Sequence, residues 1–123
     1  MKDITNRMDI EKLMRVFYAK ILSDEVIGHY FTEVMHLELE AHIPILCDFW
    51  EGILFQTAHY QGAMFQKHLA LHQKVPFEKK HFSRWTDAFI ASTNELFEGE
   101  KAELAKQRAL SIAMIMQSKM LFK

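Results

Sequence analysis

Apolar residues return at three- and four-residue steps through most of this chain, a period that admits little besides packed helices. Between Asp9 and Leu22, the residues Ile10, Leu13, Met14, Phe17 and Ile21 fall on one helical face, with Tyr18 at its edge. Asp24 is placed to cap a short turn from Glu25 to Phe31, loosened by Gly28. From Leu37 to Phe55 a wider inward face carries Leu39, His42, Ile43, Leu46, Phe49, Trp50 and Ile53. Pro44 lies early in that stretch and brings no backbone N–H, which predicts a kink or a helix start close to it. Gln56 to Met64 reads as a loop, and Met64 to about Leu71 as a segment too brief to stand alone as a helix, so it needs something to dock against. After Val75-Pro76 a long helix holds Phe77, Phe82, Trp85, Phe89, Ile90 and Phe97, with Glu78, Lys79 and Lys80 in its polar first turn and Gly99 at or just beyond its end. The last helix spans Glu100 to Leu121, with Ala102, Ala105, Ala109, Ile112, Met116 and Met120 inward.

Only four glycines and two prolines interrupt 123 residues. That supports an all-α domain over residues 1–123 with a core large enough to need no disulfide. Fifteen basic residues are interleaved with sixteen acidic ones, so no broad basic face exists for nucleic acid. Cys47 is the single cysteine and the N-terminus lacks the apolar stretch of a signal peptide, which predicts a reducing, cytoplasmic setting. No uninterrupted apolar run is long enough to span a membrane.

Four polar or ligating side chains stand on or beside the apolar faces: Tyr18, His42, His68 and Trp85. Each alone is commonly ordinary core or surface, but their order and their apolar neighbours point to a buried cofactor. A haem pocket typically takes one neutral imidazole on one side of the iron, apolar walls around the porphyrin, and polar groups on the other side. His68, flanked by Phe65, Leu69 and Leu71, is the best candidate for the imidazole. His72 is its rival one turn on, and the two also have the spacing of a two-histidine metal site. The indole N–H of Trp85 needs an acceptor when buried, and a bound, negatively polarised dioxygen is one. Phe31, Leu46, Phe49, Trp50 and Phe82 are walls of such a pocket, or plain core without it.

The same order of residues resembles the truncated haemoglobins, most closely their group III. The resemblance lies in Phe17-Tyr18, the Ile27-Gly28-His29-Tyr30-Phe31 turn, the helix from His42 to Phe49-Trp50, Tyr60-Gln61-Gly62 leading into Lys67-His68-Leu69, and Phe82-Ser83-Arg84-Trp85. It covers nearly the whole chain. It implies a globin-like, truncated two-over-two helical sandwich holding haem b, with His68 as the proximal iron ligand, Tyr18, His42 and Trp85 as distal polar groups, and Phe31 packed on the haem face. Pro44, two residues after His42, and His72, four after His68, are departures that bear on the distal helix and the proximal turn.

Several donors converging on the distal side slow oxygen release, which argues against transport. Tight binding of dioxygen and nitric oxide is expected, for redox or detoxification chemistry, and the resemblance offers nitric oxide dioxygenation or peroxidase-like chemistry as enzymatic expectations. No Gly-rich nucleotide fingerprint is present, so electrons are expected from a separate reductase or a small reductant. Two readings compete. A di-iron bundle draws on Glu33 with His36 and Glu78 with His81; the other is a cofactor-free helical interaction module. Lys67, Lys74, Lys79 and Arg84 are the candidate partners of haem propionates.

Overall fold

A computed structural model describes residues 1–29, 38–57 and 78–121. They form four α-helices: α1 (Arg7–Leu22), α2 (Leu39–Phe55), α3 (Lys79–Leu96) and α4 (Glu100–Leu121). α1 packs on α2 and α3 on α4, while α1 also meets α3 and α2 meets α4. This is the two-over-two arrangement of two helix pairs laid across each other. Arg7 of α1 reaches Asp48 and Pro44 of α2 whereas Arg15 reaches Glu40, so α1 and α2 run antiparallel.

The ends of the helices follow from local chemistry. Asn6 caps α1 by accepting the Asp9 N–H. Asp24 accepts the N–H groups of Val26 and Ile27 at 2.7 and 3.2 Å, which is the expected cap on the turn after α1. α4 is capped from far away in sequence: the Asp3 carboxylate accepts the N–H groups of Lys101 and Ala102, both at 2.9 Å. Gly99, three residues past the end of α3, makes that approach possible. Its φ is +146°, and a Cβ there would run into the Asp3 side chain.

The interior centres on Phe17, which meets Tyr18, Trp85 and Phe89 edge-on with ring centroids 5.2, 5.7 and 5.1 Å away. Trp50 stacks on Phe89 at 4.8 Å. Around these rings pack Ile10, Leu13, Met14 and Ile21 from α1 and Ala102, Ala105 and Ala109 from α4. The three alanines are fully buried, on the inward face expected of α4 from the sequence.

α2 holds Pro44 in its early part, as expected. The helix runs through the proline and begins five residues before it, at Leu39. What is lost is one hydrogen bond, to the Glu40 carbonyl, since residue 44 has no N–H to give. α3 starts later than its apolar pattern suggests, at Lys79, because Glu78 is its N-cap and forms a capping box with His81.

Candidate functional site

α2 presents two adjacent stripes. Ile43, Cys47, Trp50 and Leu54, spaced four, three and four residues apart, are fully buried and face the helix core. One position around the helix, His42, Leu46, Phe49 and Ile53 repeat the same spacing and are half-buried. The second stripe is therefore apolar, only partly used by the core, and headed by an imidazole.

Tyr18 meets that stripe at its head. Its side chain is 5% exposed, and its hydroxyl lies 3.5 Å from His42 Nε2, with the two rings edge-on at 5.8 Å. At this length the contact is at the outer limit of a hydrogen bond. Burial pushes the Tyr18 phenol well above its ordinary pKa, so it keeps its proton and acts as a donor. Trp85 is half-buried on α3 and joins the pair through Phe17, while its ring lies nearly parallel to Phe89 at 6.0 Å.

Of the residues predicted as walls, Leu46 and Phe49 stand half-buried on the stripe beside His42, and Phe82 is buried on α3. Trp50 is 3% exposed and supports Phe49 from the core side, edge-on at 5.5 Å. Phe31, Phe65, His68 and the rival His72 lie outside the described residues, as do Lys67 and Lys74. Arg84 pairs with Asp24 at 3.5 Å, and Lys79 is exposed at the first turn of α3.

Four residues hold roles that the sequence did not reveal. Glu78 and His81, considered as metal ligands, form a helix cap: the Glu78 N–H donates to His81 Nδ1 at 2.8 Å. The signal was a cap motif directly ahead of an apolar run. Neither Arg7 nor Arg15 stands out in the sequence. The clue was their shared stripe on α1 with Glu11, opposite Glu40, Asp48 and Glu51 on α2.

No protein-family model matches the chain. It is 33% identical over 121 residues to the group 3 truncated haemoglobin ctb of Campylobacter jejuni, spanning 96% of this chain and 92% of that protein. This chain belongs to the group 3 truncated haemoglobins. The crystal structure of the group III truncated haemoglobin from Campylobacter jejuni superimposes with a TM-score of 0.86 at 30% identity, covering 99% of this truncated haemoglobin and 97% of the other chain. Membership implies a haem cofactor and small diatomic ligands for it.

The residues described fit such a group. A porphyrin needs an extended apolar surface with a few donors at one side. The half-buried stripe of α2 would supply such a surface, and Tyr18 and His42 stand together where it begins. Among the described residues of this truncated haemoglobin, no helix is long and apolar enough to cross a membrane.

Proposed function

We propose that this truncated haemoglobin holds haem b through His68 and takes up dioxygen and nitric oxide on a side furnished by Tyr18, His42 and Trp85, for redox or detoxification chemistry and not for transport. The observation that carries this reading is the meeting of a buried phenol and an imidazole from two helices, 3.5 Å apart, at the head of an apolar stripe. When bound, haem supplies an iron centre that ligates small diatomic molecules and exchanges electrons.

The chain's own groups then set selectivity. Tyr18 holds its proton and donates, because burial disfavours the phenolate. His42 donates or accepts at Nε2 according to its tautomer. The Trp85 indole is a donor only. Leu46, Phe49 and Ile53 exclude water beside these groups, which strengthens each polar contact. Donors converging in a dry site retain a ligand that carries negative charge and discriminate little for one that does not.

Joining nitric oxide and dioxygen into nitrate takes one further electron per turnover, for which a separate reductase is the source. Rapid mixing of the oxygenated protein with nitric oxide tests the reaction. One nitrate per haem is expected, and dioxygen released unchanged removes the detoxification role.

A further inference from the structure

The turn that carries His42 is weakly held by its own helix. Its N-cap, Glu38, makes no side-chain capping bond, and the N–H groups of Ala41 and His42 both lean on one carbonyl, that of Glu38, at 3.2 and 3.1 Å. Two residues beyond His42, Pro44 deletes the bond that would tie the Glu40 carbonyl into the next turn.

α1 compensates from outside with two arginines. Arg15 grips Glu40 with both ends of its guanidinium, Nη1 to Oε2 at 2.7 Å and Nη2 to Oε1 at 3.0 Å, while Glu11 orients it through Nε at 3.1 Å. Arg7 donates through Nη2 to the Pro44 carbonyl at 3.2 Å and through Nη1 to Asp48 at 2.8 Å and to Glu51. The grips fall before the proline and at it. They share α1 with Tyr18, which lies three residues after Arg15, so one rigid helix carries both the phenol and the clamp on its partner. Hydrogen bonding from Arg15 holds the Glu40 carboxyl below the usual carboxylate range, which keeps the pair charged near neutral pH.

We propose that Arg15 and Arg7 are positioning residues for His42, clamping α2 on Glu40 and on the Pro44 carbonyl so that the imidazole stands at a fixed place beside Tyr18. The inference rests on the distal role proposed for that pair. A lysine cannot replace either arginine, because a point charge cannot reproduce the forked contact.

The test uses the haem-loaded ferrous carbonmonoxy protein and two readouts of position: the C–O stretching band and the NMR titration of His42. In wild type one band is expected. Arg15→Gln should split or shift it toward that of His42→Leu, move the His42 titration, and change the carbon monoxide association rate by roughly twofold or more, with Tm almost unmoved because the pair is solvated. Arg7→Gln should act in the same direction. The charge exchange Arg15→Glu with Glu40→Arg should restore the wild-type band. If both glutamine variants keep the wild-type band and titration while His42→Leu changes the band, the clamp is wrong and the distal reading stands. If His42→Leu and Tyr18→Phe also leave the band unchanged, both are overturned.

Discussion

The Tyr18 hydroxyl and His42 Nε2 approach to 3.5 Å across the α1–α2 interface, one group from each helix. A buried phenol that keeps its proton is a donor to any charged acceptor brought beside it. Tyr18→Phe keeps the ring and its edge contact with Phe17 but removes the donor. Dioxygen dissociation should then accelerate roughly five- to a hundredfold, the equivalent of about 1–3 kcal/mol for a hydrogen bond to a charged acceptor. Trp85→Phe should behave alike. Carbon monoxide dissociation should respond less, since that ligand carries less charge. Flash photolysis and stopped-flow rates check both, and equal acceleration of the two gases would indicate a loosened pocket in place of a lost donor.

Acid stability should depend on His81. Burial lowers its pKa, opposed by Glu78 and assisted by Lys80 and His29, and its Nδ1 must be unprotonated to accept the Glu78 N–H. A histidine whose folded pKa is depressed favours folding in the neutral form. Its contribution is complete above its unfolded value, near 6.5, shrinks as pH falls, and is gone below the folded pKa. Glutamine at this position of a capping box also serves the cap. His81→Gln should therefore match wild type at pH 7.5 and lose less stability as pH falls below about 6.5. Denaturant titrations across that range measure it, and parallel curves for the two proteins would remove the role of His81.

The N-terminal segment fastens α4. Asp3 would have a raised pKa from burial alone, but N–H groups of Lys101, Ala102 and Ile4 and the charge of Lys101 hold it below the usual range. The folded state thus favours the carboxylate, whose contribution is present above its unfolded pKa and lost as pH falls through the folded one. Asp3→Ala should cost about 1–2 kcal/mol at pH 7, as loss of a helix cap does. Gly99→Ala should destabilise by ~1 kcal/mol or more, through positive φ and collision with Asp3. Both are read from chemical denaturation, and wild-type midpoints would show that the cap is dispensable.

Much of this architecture is legible in the sequence because each helix writes its buried face in plain three- and four-residue steps. The Ile10 to Ile21 face, the Ala102 to Met116 face and the Asp24 turn are local properties, and they are found as expected. The second stripe of α2 is harder to read. His42, Leu46, Phe49 and Ile53 merge with Ile43, Trp50 and Leu54 into one broad apolar face, and only burial separates a core stripe from a partly open one. Contacts over long sequence separations are not written locally. Asp3 on Ala102 and Arg7 on Pro44 depend on how the helix pairs cross. His81 was misleading for a different reason, since Glu-x-x-His suits a metal and a helix cap equally until its surroundings are known.

Haem binding itself is the central claim, and quantitative haem titration followed by Soret absorbance tests it most directly on wild type, His68→Ala and His72→Ala. Wild type and His72→Ala should each bind one haem per chain and give a Soret band, and His68→Ala should bind it only when imidazole is added. A wild-type chain that takes up no haem, or a His68→Ala chain that retains it while His72→Ala loses it, would contradict the account.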